Sequence, residues 1–278
     1  MNSLIGFAVL IFLSVPSVLS NYCDANICRF NVRIGNYIGT EYKRHIACGN
    51  SLAYQNVFGP SCYQHQIIPM TTDFINMILR KHNTLRADTA NGRIPGYLTA
   101  NQMSELTWDS ELAYLAEINA KSCTYGHDDC RNTESYRFVG QNIALNWYSV
   151  GYPRQYMLSA ESFASYYIDQ WFNEYRDASM NDIYRFRSIR NSKGQMIGHF
   201  TQMVKSDANR VGCAITSYVN RYASNSFNYY LVCNYNLENI EEKSTYYVGP
   251  PCSACRTGCS AEYPGLCSRN EITKVNFP

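Results

Sequence analysis

Charge of either sign is scarce in this chain and nearly cancels: 24 Lys and Arg stand against 22 Asp and Glu, together 17% of 278 residues, for a formal charge of +2. Binding to a phosphate backbone draws on a stripe of basic side chains that releases counterions, so no nucleic acid is expected as a partner. Long apolar runs are lacking too. The longest runs for twelve residues, from Leu4 to Val15, whereas a bilayer takes about 20, and no membrane span is expected. Neither a Gly-x-Ser-x-Gly elbow nor a His-Glu-x-x-His pair occurs, which removes two common signatures of hydrolytic chemistry. Arg-Gly-Asp is absent, so an integrin-blocking role is unsupported; Asn-x-Ser/Thr is absent, so no N-glycosylation is expected.

Cysteine, by contrast, is plentiful. Twelve are clustered toward the ends of the chain, a usage that fits disulfides made in an oxidising compartment. The apolar run at Leu4 to Val15, then Pro16 and the small residues Val18 and Ser20, reads as a signal peptide over residues 1–20, with cleavage before Asn21. The expected product is secreted and extracellular. Residues 21–66 hold Cys23, Cys28, Cys48 and Cys62 without a sustained hydrophobic period and read as a bridge-held, Cys-rich loop segment. Residues 67–236 carry the packed domain. Residues 237–278 are a Cys-rich extension with Cys252, Cys255, Cys259 and Cys267, whose three pairings the sequence leaves open.

Within the packed domain, Phe74, Ile75, Ile78, Leu79, His82 and Leu85 recur at helical spacing behind Thr72 and Asp73, giving a helix over 73–88. A second helix starts at Asp109 and runs to about Cys123. A third runs from Ser159 to about Arg176, its stripe made of Phe163, Tyr167 and Trp171, with Glu174 three residues further on the same face. Val211, Cys213 and Ile215 alternate, as do Tyr229, Leu231, Cys233 and Tyr235; the polar stretch 220–228 between them reads as a hairpin loop. Helices followed by strands make an α+β class. On the first helix, His82 reads as a hydrogen-bonded packing histidine. Of the 24 tyrosines, Tyr148, Tyr152, Tyr156, Tyr166, Tyr167 and Tyr175 gather about the third helix.

Five motifs occur in one order: His82-Asn83 with Arg86, Gly140-Gln141-Asn142-Ile143-Ala144, Trp171-Phe172-Asn173-Glu174, Gly198-His199-Phe200-Thr201-Gln202-Met203-Val204, and Val232-Cys233-Asn234-Tyr235. Over residues 67–236 the chain resembles the CAP superfamily of cysteine-rich secretory proteins, antigen 5 and plant pathogenesis-related proteins of group 1. The leading cysteines and the Cys123/Cys130 pair resemble its insect antigen 5 branch, found in venoms and in the saliva of blood-feeding flies. The resemblance implies an α-β-α sandwich with a central cavity. It places the cavity's paired histidines on His127 and His199 and one acid on Glu174, while Gln141 stands where the family has its second acid. A neutral amide supplies neither a general base nor a strong metal ligand.

What the resemblance implies about function is a non-enzymatic salivary or venom component. It would bind a small hydrophobic ligand or a host extracellular factor and be recognised by IgE in exposed hosts. A lipid groove would be lined by Phe74, Ile78, Phe163, Tyr167 and Trp171. The alternatives are a metal-dependent hydrolase, with His127, Glu174 and His199 on a Zn²⁺ ion, and a channel-blocking toxin. No cofactor is required by the leading reading. The implied bridges are Cys23–Cys48, Cys28–Cys130, Cys62–Cys123 and Cys213–Cys233.

Overall fold

The structure, a computed structural model, describes residues 21–272 apart from 35, 36, 150 and 224; the signal segment assigned to 1–20 lies outside them. The leading segment is more ordered than its reading as a loop. Phe30 and Val32 alternate with Arg29 and Asn31, and β1 (Arg29–Ile34) pairs antiparallel with β2 (Tyr37–Tyr42) in a two-stranded ribbon of its own. The segment then ends in β3 (Cys62–Ile67), which joins the main sheet along β6 (Arg210–Asn220). The boundary at residue 67 therefore falls at the end of a strand of that sheet.

Caps fix the helices. Thr71 accepts from the Phe74 N–H at 3.2 Å and opens α1 (Thr72–Ala90); Asp109 does the same for Leu112 and opens α2 (Ser110–Ala120). Ser159 caps α3 (Ala160–Asn173), and two short helices follow, α4 (Met180–Tyr184) and α5 (Gly198–Met203). The strands β4 (Thr107–Trp108), β5 (Gly140–Tyr148) and β7 (Ser226–Tyr235) complete a sheet of order β3-β6-β7-β5, with β4 parallel to β6 and the other pairs antiparallel. Pairing runs out to Asn220 opposite Ser226, so the connection is shorter than the stretch 220–228.

Alternation along the strands sorts the two faces into an α-β-α sandwich. Val211, Cys213, Ile215, Leu231, Cys233 and Tyr235 pack with α1, α3 and α5; Ala214, Tyr218, Tyr230 and Val232 pack with α2. Gly212 lets α2 lie directly on β6, since a Cβ there would overlap the backbone of Asp109 and Ala113. The first core contains a buried cation. Arg86 donates to the carbonyls of Ser104, Met203, Lys205 and Ala208, tying α1 to the end of α5; burial draws its pKa down to about 9.

Disulfides join Cys23 to Cys48, Cys28 to Cys130, Cys62 to Cys123 and Cys213 to Cys233, the pairs that the resemblance implies. In the tail they join Cys252 to Cys259 and Cys255 to Cys267. The Cys28–Cys130 bridge spans 102 residues, a closure worth about 4.7 kcal/mol in the chain-entropy model. The tail also packs Tyr246 and Leu266 into the first core.

Candidate functional site

Glu174 ends α3 beside the first residues of α5. One of its oxygens accepts from the backbone N–H groups of His199 at 2.9 Å and Phe200 at 3.2 Å, and the other lies 2.6 Å from His199 Nδ1. Both carboxylate oxygens are thus engaged in holding α5 and the imidazole. The ring of His199 also stacks on Trp171, with centroids 5.9 Å apart. Gly140 lets α5 approach β5, because a Cβ would overlap the Gln202 side chain. An acid on the apolar stripe of α3 is explained by this role.

His127 is placed differently, on the loop after α2 that the Cys62–Cys123 and Cys28–Cys130 bridges bracket. Its Nδ1 lies 2.7 Å from Gln141 Oε1. The Gln141 amide donates from Nε2 to Asp128 at 2.8 Å and to Asn234 at 3.0 Å, which leaves Oε1 as the acceptor facing His127. His127 therefore carries its proton on Nδ1, and His199 does the same toward Glu174. When either ring is neutral, the nitrogen it leaves for a ligand is Nε2, an acceptor. Burial holds the pKa of His127 below the ordinary imidazole range, partly offset by Gln141 and Asp128.

Both imidazoles open on a cavity of about 380 Å³ whose walls include Arg131, Gln141, Asn142, Phe186, Ile189, Met196, Gln202, Glu238, Asn239 and Glu241. Arg131 is used internally: it pairs with Asp128 at 2.8 Å and donates to the Val139 carbonyl. A second cavity of about 310 Å³ lies between His127 with Asp128 and the leading segment at Arg44, His45 and Asn50. Sequence reasoning named His127, Gln141, Glu174 and His199 but missed Arg131, Glu238 and Glu241. Glu238 lies three residues after Tyr235 of the Cys-Asn-Tyr motif, and that nearness was its one sequence signal.

Two expectations need correction. Phe74, Ile78, Phe163 and Trp171 are at most 3% exposed and fill the first core, with Tyr167 packed at its edge; they pack on one another, so they line no groove between α1 and α3. Nor do His127, Glu174 and His199 form a metal-ligand set. Among the described residues no three His, Cys, Asp or Glu side chains are gathered to hold an ion, and Glu174 is already committed to α5.

A sequence model of the CAP, or cysteine-rich secretory protein, family matches residues 79–235. Venom allergen-1 of Aedes albopictus is 37% identical over 272 residues, covering 97% of this chain and 96% of that protein. The antigen 5 like allergen Cul n 1 of Culicoides nubeculosus is 36% identical over 208 residues, 74% of this chain and 88% of that one. Among solved structures, NaASP2 crystallised with Zn²⁺ shares the fold at a TM-score of 0.56 and 24% identity, over 71% of this chain and 96% of that one. No helix among the described residues is long and apolar enough to cross a membrane.

Proposed function

Because the chain belongs to the CAP family of cysteine-rich secretory proteins, we propose that it is a secreted, non-enzymatic protein of the antigen 5 type that binds a small ligand or a host extracellular factor at the His127/His199 cavity. One observation carries this reading: the acid and the amide behind the two imidazoles are fully occupied inside the protein. Glu174 spends both oxygens on α5 and His199, and Gln141 spends its amide on His127, Asp128 and Asn234. Neither residue offers a substrate a free acceptor; the bases left facing the cavity are the imidazole Nε2 atoms of His127 and His199, and the turnover screen below tests them. The cavity's residues are arranged to hold a ligand by hydrogen bonds.

The six disulfides support secretion, and the relatives named as allergens support recognition by IgE in exposed hosts. Of the two partners left open above, the packed core between α1 and α3 favours a ligand of the polar cavity or a host factor over a hydrophobic ligand in a helical groove. No observation favours the channel-blocking reading.

The test pairs native mass spectrometry with a turnover screen. The protein purified from secreting cells should release a small molecule that the His199→Ala variant no longer carries. It should also show no hydrolysis of ester, peptide or phosphodiester substrates, with or without added Zn²⁺. Turnover that disappears in His199→Ala would overturn the reading in favour of the metal-dependent hydrolase.

A further inference from the structure

The walls of the cavity are unbalanced in hydrogen-bonding capacity. Every side-chain amide and guanidinium nitrogen on them already donates at least one hydrogen bond within the protein. Asn142 donates to the His199 carbonyl, Gln202 to Leu237, and Asn239 to Gly198 and Thr201. Gln141 and Arg131 are engaged as described above. Acceptors remain: Nε2 of His127, Nε2 of His199, and the carboxylates of Glu238 and Glu241, on which no hydrogen bond or ion pair falls among the described residues. The buried carbonyl oxygen of Asn239, also without a partner, adds negative partial charge to the same wall.

Charge tells the same way. The cation on the wall, Arg131, is matched by Asp128 at 2.8 Å, and Lys43, the other cation that acts on Glu238, lies 4.0 Å from Glu41. Neither glutamate of the wall makes an ion pair among the described residues, and the two cations that act on Glu238 are each shared with another acid. An anionic ligand would meet two carboxylates and no free cation, so it is disfavoured. Opposite the acceptors, Phe186, Ile189 and Met196 give the cavity an apolar side.

We infer that the cavity takes a small organic cation, a primary ammonium carried on an apolar body, with the ammonium donating to the imidazole Nε2 atoms and Glu238 and the body lying against Phe186, Ile189 and Met196. An ammonium has three donors and no acceptor, the complement of this wall. Partial burial of Glu238 makes its charge costly without such a partner and raises its pKa, and the space of about 380 Å³ suits a ligand of that size. This inference rests on the proposal that the cavity is a binding site and names the class of its ligand.

Calorimetric titration of the intact, disulfide-bonded protein at about pH 7, where an alkylammonium is charged, uses three probes of one shape: tryptamine, its alcohol tryptophol and the acid indole-3-propionate. Tryptamine should bind roughly tenfold or more tighter than tryptophol, an affinity ratio equal to one power of ten, and indole-3-propionate should not bind. Glu238→Gln should abolish most of the preference for tryptamine over tryptophol. Glu241→Gln, at an exposed position where folding is not at stake, should reduce it less. Equal or tighter binding of the alcohol or the acid would overturn the assignment of a cation, yet leave the cavity a binding site. Absence of binding by all three would overturn it too, while a His199-dependent ligand in the native mass spectrum would still uphold the broader reading.

Discussion

The two imidazoles of the cavity stand on different supports. His199 sits at the start of α5 on a carboxylate, and α5 in turn is fastened by Glu174 from α3, by Arg86 from α1 and by a buried chain running from His82 through Tyr235 and Asn142 to the His199 carbonyl. His127 sits on a loop fastened by two disulfides and leans on the neutral amide of Gln141. One half of the site is held by the packed core and its buried polar groups, the other by covalent bridges to the leading segment. The same chemical group is thus presented to one cavity by two unrelated kinds of constraint, and perturbations should separate them.

The largest separation is expected from Arg86→Met. Loss of the guanidinium strips donors from four buried carbonyls, and each unsatisfied group costs about 1–3 kcal/mol; urea denaturation should therefore show a loss of about 3 kcal/mol or more. The His199 half should loosen first, seen as faster amide exchange in α5 than in the bridged loop around His127.

Acid should act on the same half. His82 is fully buried, donating from Nδ1 to the Ile78 carbonyl, with Nε2 2.9 Å from the Tyr235 hydroxyl. Burial lowers its pKa from 6.5 to about 4. The unfolded chain binds this proton first as pH falls, so the stabilisation is complete above about 6.5 and is lost on the way down to about 4. The two values differ enough to make the folded state about 3 kcal/mol less stable at the acid end. His127, whose pKa is also lowered, adds to the loss with the same sign. Thermal melts across this range in wild type and His82→Gln measure the part due to His82.

A smaller effect is expected from Glu174→Gln, which removes the charge from three hydrogen bonds while keeping one acceptor. Charge-assisted bonds contribute about 1.5–3 kcal/mol, so chemical denaturation should show a loss of about 2 kcal/mol. The smallest change belongs to the His127 half. Gln141→Glu places a carboxylate 2.7 Å from His127 Nδ1, at the position of Gln141 Oε1, and should raise the pKa of His127, read by NMR titration. An unchanged pKa would mean that the new acid had turned away toward Asn234.

Much of the scaffold was legible because its signals are local. Asp109 and Ser159 act on residues three positions ahead, as does Thr71, which caps α1 one residue before the Thr72 and Asp73 expected to do so, and the alternation in β6 and β7 is visible without their partner strands. The ribbon of β1 and β2 was missed although Phe30 and Val32 alternate with polar neighbours, because Gly, Asn and Tyr around them suggested loop; Tyr37 and Ile38 at its tip are 80% exposed, so no buried face reinforced the pattern. The apolar stripes of α1 and α3 were read correctly as stripes and wrongly as a groove, since periodicity shows which face is apolar but not whether the two faces close on each other. The residues of the cavity wall that set its charge could not be read at all. Whether Arg131 is free or matched depends on Asp128, and whether Glu238 lacks a cation depends on where Lys43 lies, both matters of tertiary position.

The central claim is that both imidazoles hold their protons on Nδ1 and offer Nε2 lone pairs to a ligand of the cavity. Long-range ¹H–¹⁵N correlation spectra of ¹⁵N-histidine-labelled protein at neutral pH measure this directly. The account predicts that neutral His127 and neutral His199 both show a protonated Nδ1 and a bare Nε2, and that addition of tryptamine shifts the Nε2 resonances of both. Protonation of Nε2 in either neutral ring, or shifts confined to Nδ1, would contradict it.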